Sequence, residues 1–250
     1  MNYNVIAQSE ESTVLSEYIP QGKRAEGYQS EADLERELIK LLSELKYEYL
    51  PIHSEAELIS NLRKKLEELN DYTFSESEWE QFFTGCIAGK NDGIVEKTRR
   101  IQEDYVQVLH RDNGATKNIA LIDKKNIYKN RLQVINQYEN HDGKYENRYD
   151  VTILVNGLPL VHIELKRRGV PIREAFNQID RYQRDSFWAS SGLYEYVQIF
   201  VISNGTNTKY YSNTTRFNHI KDAARGAKKG KTSNSFEFTS FWADAKNKII

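Results

Sequence analysis

Apolar residues recur at helical spacing through the first hundred positions. Leu34, Leu38, Leu41, Leu42 and Leu45 form one stripe, three or four residues apart. Ser30 and Asp33 precede it as a capping box, in which the serine caps the helix and the acid reaches back. Ser54 and Glu57 repeat the signal before Leu58, Leu62, Leu66 and Leu69, and Ser75 and Glu78 before Trp79, Phe82 and Phe83. A break at Asn91-Asp92-Gly93 leads to a short predicted helix over 94–101. From about Asp104 the period shortens to two. Strands are predicted over 105–109, 119–122 and 132–138, then over 149–155 and 160–166 across an Asn156-Gly157 hairpin turn. Pro171 suits the first turn of a helix that is apolar at Ile172, Ala175, Phe176 and Ile179. The mostly apolar run 196–202 reads as a buried strand, followed by a turn at Asn204-Gly205 and residues 209–211. Helices first, then a mixed sheet with a crossover helix, make the chain α/β or α+β.

Composition narrows the class. A chain of 250 residues can bury a sizeable core without disulfide or metal staples. The single cysteine, Cys86, excludes an internal disulfide and any cysteine-cluster zinc site. No apolar run approaches the roughly 18 residues of a membrane span. Residues 1–20 lack a basic segment followed by an apolar one, so a cytoplasmic protein is expected. The formal net charge of -1 hides an asymmetry, because residues 1–60 carry twelve acidic and five basic side chains. The remainder is net basic, which keeps nucleic acid open as a partner.

The chemistry gathers at the hairpin. Asp150 opens the first strand; His162, Glu164 and Lys166 share one face of the second, because side chains alternate. A strict two-residue turn pairs Val155 with Leu158 and sets Asp150 opposite Ile163, with Glu164 on the wrong face. One bulge or a longer loop sets Asp150 opposite Glu164. Pro159 lacks an N–H and disturbs the tight register, so the bulge or longer loop is predicted. Two carboxylates held close raise each other's pKa unless a cation sits between them. Hard oxygen ligands suit Mg²⁺. Such an ion polarises a phosphoryl oxygen or acidifies a water, and Lys166 can orient that water or stabilise charge developing on phosphate. Glu-x-Lys alone is common and reads as a surface salt bridge; the Asp on the paired strand is what points to phosphodiester hydrolysis. Gln178 and Tyr182, four apart, share a helix face beside this cluster. Gln178 can bond a water or phosphate and Tyr182 can hold it, although Tyr182 alone equally extends the apolar stripe.

The block from Asn147 to Val161, followed by Ile163-Glu164-Leu165-Lys166, resembles the N-terminal nuclease domain of type I restriction endonuclease R subunits. The run from Arg173 through Gln178 to Tyr182 is similar to that family's Gln-x-x-x-Tyr helix. Residues 200–206 and 121–126 are similar too, and 29–50 more loosely. The resemblance implies a PD-(D/E)xK restriction-endonuclease-like mixed β-sheet flanked by helices, with an α-helical N-terminal part. It implies Asp150 and Glu164 as metal ligands, Lys166 as the catalytic lysine, and Gln178 and Tyr182 as the auxiliary motif. An acid from an N-terminal helix, Glu31 or Glu35, is a further candidate. Tyr149 stands where the proline that names the motif would be. The implied activity is cleavage of double-stranded DNA with Mg²⁺, for which Mn²⁺ can substitute. The implied partners are DNA and the specificity and methyltransferase subunits of a restriction complex, with no membrane.

The expected organisation is one endonuclease domain: a mainly helical part over 1–100, a mixed-sheet nuclease core over 101–215, and a basic loop with the approach to a missing motor over 216–250. ATP would act only through that motor in a full-length subunit. Residues 226–232 superficially resemble a phosphate-binding loop, but three residues separate the glycines where four are needed. His53, His110, His141 and His219 lack partners at ligand spacing, and His162 is expected as a polar neighbour of the site. Cys86 is expected as a buried small hydrophobe. Arg167, Arg168, Arg173, Arg181 and Arg184 surround the cluster as candidates for phosphate contact or for pairing with nearby acids. Two other readings stay open on sequence: a stand-alone repair or structure-specific nuclease, and a non-catalytic DNA-binding or docking module.

Overall fold

Ser30, Ser54 and Ser75 each accept a hydrogen bond from the N–H three residues on, and Asp33, Glu57 and Glu78 reach back to the cap backbone. In the computed structural model, which describes residues 5–8, 13–15, 29–141, 146–213, 236, 239–243 and 249, these capping boxes open α1 (Glu31–Glu44), α2 (Glu55–Asn70) and α3 (Glu76–Phe82). A π-helical turn, Phe83–Ile87, and α4 (Ile94–Gln102) follow. The first hundred residues are not wholly helical. β1 (Val5–Gln8) pairs with β2 (Thr13–Leu15), and β3 (Glu48–Tyr49) joins the main sheet. Two- to four-residue strands leave no periodicity for a sequence reading to find.

β4 (Val106–His110) and β5 (Thr116–Ala120) form a separate hairpin, the second strand starting three residues earlier than expected. The main sheet adds β6 (Leu132–Asn140), β7 (Asn147–Val155), β8 (Leu158–Leu165), β9 (Ile199–Ser203), β10 (Thr208–Ser212) and β11 (Ser240–Phe241). Its order is β11-β10-β9-β8-β7-β6-β3, parallel at β3–β6 and β8–β9 and antiparallel elsewhere. The parallel β8–β9 step requires a crossover, supplied by α5 (Arg173–Asp185). β3 and β11 bring both flanking parts of the chain into the sheet of the core.

The run 196–202 is only partly strand, since Leu193–Tyr196 is a 3-10 turn before β9. Tyr196 is buried by the helices instead: its hydroxyl donates to the Ile87 carbonyl and accepts from Arg100. Burial on all sides produces an apolar run in either conformation.

The two sheet faces differ. Leu42 of α1 packs with Val134, Val151, Ile163 and Leu165 on one. The other carries the larger core, including Leu58, Leu62 and Leu66 of α2 and Ala175, Phe176 and Ile179 of α5. At the hairpin turn Gly157 has φ 85°, and a Cβ there would lie 2.5 Å from the Leu62 Cα. The close approach of α2 thus requires glycine. The basic segment 214–234, the phosphate-loop look-alike at 226–232 and most of 236–248 lie outside the described residues.

Candidate active site

The hairpin register decides whether the two carboxylates meet. Val155 pairs with Leu158 and Leu154 with Pro159, as a two-residue turn dictates. Ile153 then pairs with Val161, so Leu160 is an extra residue on β8. From this bulge onward Thr152 faces His162 and Val151 faces Ile163; the same register continued outward brings Asp150 to Glu164, and the two carboxyls act on each other. The predicted bulge is present, beside the proline that motivated it. The bulged Leu160 belongs to the larger core, and Val161 packs against the smaller one.

Strict alternation also lapses on β7. Tyr149 and Thr152 both reach the α5 side, where Tyr149 packs on Tyr182 and the Thr152 hydroxyl lies 3.1 Å from that of Tyr194. Across from Asp150, Gln137 takes a left-handed φ of 52°, and the β6–β7 ladder omits that pair. The mouth of the hairpin is thus a second place, beyond the Leu160 bulge, where the sheet departs from regularity.

Glu164 is fully buried. Its Oε1 receives Lys166 Nζ at 3.2 Å, while its Oε2 has no hydrogen-bond partner. Lys166 Nζ also donates to the Leu165 carbonyl and lies 3.9 Å from Glu31 Oε2. Asp150 Oδ2 accepts the Leu165 N–H at 2.9 Å. Burial and the neighbouring Glu164 charge push the Asp150 carboxyl up to about 7. Burial pushes Glu164 up to about 7 as well, against the pull of Lys166. His162, also fully buried, has its Nε2 3.4 Å from Glu164 Oε2, and burial lowers its pKa to about 4. It is a neutral neighbour of the pair.

The helix acids separate. Glu31, at the start of α1, faces Lys166 and accepts the Arg167 N–H. Glu35, one turn on, is engaged by the side-chain amides of Asn136 and Gln137. Glu31 is therefore the acid that touches the lysine. Gln178 donates to the Tyr182 hydroxyl, which in turn donates to the Arg148 carbonyl at 2.8 Å. Tyr182 thus both holds Gln178 and packs in the core, and burial raises its pKa. Sequence reasoning missed Ser186, whose hydroxyl receives those of Tyr149 and the Asn147 amide and so ties the mouth of β7 to the end of α5. No local spacing could reveal a contact across 37 residues. Of the five arginines, Arg184 pairs with Asp180, Arg173 lies over Phe236, Arg181 lies over Tyr182, and Arg168 donates to the Gly205 carbonyl.

A divalent cation suits these residues. An orphaned, buried carboxylate oxygen beside a second carboxyl of raised pKa is a site short of positive charge. Both donors are hard oxygens of the kind Mg²⁺ takes. Among the described residues no group of three His, Cys, Asp or Glu side chains is disposed to hold a metal. No helix among them is long and apolar enough to cross a membrane.

Comparison with known proteins agrees with the fold, a seven-stranded mixed sheet flanked by helices as in PD-(D/E)xK nucleases. The profile of the type I restriction enzyme R protein N terminus (HSDR_N) matches residues 28–219. The chain is 48% identical over 246 residues to the type I restriction enzyme EcoprrI endonuclease subunit of Escherichia coli, spanning 98% of this chain and 74% of that protein. It is 41% identical over 191 residues to the SauMSSORF170P endonuclease subunit of Staphylococcus aureus, covering 74% of this chain but only 20% of that protein. A putative type I endonuclease subunit of Methanocaldococcus jannaschii is 36% identical over 118 residues, 44% of this chain and 11% of that protein. The chain belongs to the N-terminal family of type I restriction enzyme R proteins, the endonuclease subunits of those enzymes.

Proposed function

We propose that this domain cleaves double-stranded DNA by Mg²⁺-dependent phosphodiester hydrolysis, with Asp150 and Glu164 holding the ion and Mn²⁺ able to replace it. The observation that carries the reading is the Leu160 bulge, whose register brings Asp150 to a buried Glu164 that already holds Lys166. When bound, Mg²⁺ supplies charge neutralisation at the phosphoryl group and a more acidic attacking water. The chain's own residues do the rest. Lys166 places an ammonium where negative charge develops on phosphate, and Glu164 and Glu31 keep it there. Gln178, held by Tyr182, offers its amide to the phosphate or the attacking water. Phosphate contacts position the duplex without reading bases. Site choice is therefore assigned to specificity and methyltransferase subunits of a restriction complex, and ATP use to a motor elsewhere in the R protein.

Nicking and linearisation of supercoiled plasmid by the purified chain, in Mg²⁺ and in Mn²⁺, tests the reading beside Glu164→Ala. Cleavage by the wild type and none by the variant supports it. Equal cleavage by both contradicts it. If neither cuts, the same pair is compared in the assembled complex, where retained cleavage by the variant favours a docking module.

A further inference from the structure

His162 is the buried group that this chemistry does not use. Its side chain is fully buried, and neither ring nitrogen has a hydrogen-bond partner. Leaving a buried polar group unpaired is costly, so packing alone would favour an apolar ring here. Tyr149, Tyr182, Phe187, Tyr194 and Phe200 surround it, with centroids 5.6 to 6.4 Å away and planes steeply inclined. These rings fix the imidazole in place and leave it no carbonyl or hydroxyl partner. A polar atom lies beside it: Glu164 Oε2, 3.4 Å from Nε2 but out of line for a hydrogen bond and itself without a partner, with the Asp150 carboxyl also acting on the ring. Two unsatisfied buried atoms this close become complementary when Nε2 carries the proton and a small rotation of the carboxylate brings Oε2 into line with it. The remaining Nδ1 is then an unpaired acceptor, the cheaper kind of orphan.

We propose that His162 is a positioning residue, whose Nε2–H donates to Glu164 Oε2 and fixes the rotation of the carboxylate that Lys166 grips from the other oxygen. Each carboxylate oxygen keeps a further lone pair, so the bond orients Glu164 without blocking a cation. Outer partners of this kind typically change metal affinity by about 10–100-fold when removed. The proposal rests on the reading of Asp150 and Glu164 as the ion-holding pair.

Three substitutions separate positioning from packing. His162→Gln puts an amide N–H near the imidazole Nε2, His162→Asn puts one nearer Nδ1, and His162→Phe keeps the ring without a donor. Mn²⁺ affinity of the full chain, read by electron paramagnetic resonance, is expected to stay close to wild type in His162→Gln. It is expected to weaken by about tenfold or more in the Asn and Phe variants. The Phe variant is nevertheless expected to unfold at the highest temperature of the three. In wild type, nitrogen-15 spectra of labelled histidine, assigned by loss of one signal in His162→Gln, should show the Nε2–H tautomer. Wild-type Mn²⁺ affinity in the Phe variant, or an Nδ1–H tautomer, overturns the proposal. Absence of Mn²⁺ binding by the wild type overturns the ion-holding reading of the carboxylates instead, and the tautomer still decides the His162 bond.

Discussion

The two ends of the β7–β8 hairpin bury polar side chains in opposite ways. At the turn, Asn156 is fully buried and fully engaged: its Nδ2 donates to the Leu121 carbonyl and Asn130 Oδ1, its Oδ1 accepts the Arg131 N–H, and its own N–H donates to the Arg131 carbonyl. At the mouth, Glu164 is equally buried, with one oxygen orphaned beside an unpartnered histidine and a second carboxyl of raised pKa. Satisfied buried polar groups specify structure, and unsatisfied ones cost stability unless something else completes them. The same hairpin thus carries a structural clamp at one end and the proposed chemistry at the other.

The largest effect should appear at the mouth and in activity. Asp150→Asn and Lys166→Ala should each reduce plasmid cleavage by about 10²–10³-fold or more, with little loss in urea unfolding midpoint. A large fall in stability at either position would mean that the cluster is structural and would erase the contrast. The turn should show the converse. Asn156→Ala removes three side-chain hydrogen bonds and leaves the Arg131 N–H and Leu121 carbonyl short of partners. It should cost about 2–4 kcal/mol in urea unfolding, with cleavage per folded molecule retained. Gly157→Ala adds a Cβ against the α2 backbone at a positive φ, and should destabilise by at least as much as a typical overpacking change, about 1–3 kcal/mol.

A smaller effect follows from protonation. Asp150 and Glu164 have folded pKa values near 7, above their ordinary 3.8 and 4.5. The stability they give when protonated is complete below those ordinary values and is lost as pH rises through about 7. His162 has the opposite sign, since its pKa falls from 6.5 to about 4 and its contribution is lost as pH drops through that range. Glu164→Gln removes one carboxyl and relieves the other, while His162 is common to both proteins. The melting temperature of Glu164→Gln relative to wild type, without divalent ions, should therefore rise between pH 5 and pH 8. A difference independent of pH would contradict the raised carboxyls.

Much of this arrangement was legible in the sequence because it follows from counting. The serine capping boxes fix three helix starts, alternation places Glu164 with Lys166, and parity demands an extra residue before Asp150 can face Glu164. Pro159 marks where that residue enters. Spacing by four brings Gln178 to Tyr182. What stayed hidden depends on long-range packing. Choosing Glu31 over Glu35 needs the rotation of α1 against β8. The aromatic enclosure of His162 draws rings from β7, α5, β9 and the turns between, which no periodicity links. β3 is too short to announce itself, and the apolar run at Tyr196 hides a 3-10 turn.

The central claim is that the mouth of the hairpin is completed by a divalent cation held by Asp150 and Glu164. Thermal unfolding of wild type and Glu164→Gln at pH 8, with and without Mn²⁺, tests it most directly. At a hundredfold excess over the dissociation constant, Mn²⁺ should stabilise the wild type by about 2.7 kcal/mol, roughly 5–10 °C for a chain of this size. Glu164→Gln should start at or above the wild-type melting temperature and show little response to the ion. Equal Mn²⁺ shifts in both proteins, or a variant that melts well below wild type in the absence of the ion, would contradict the account.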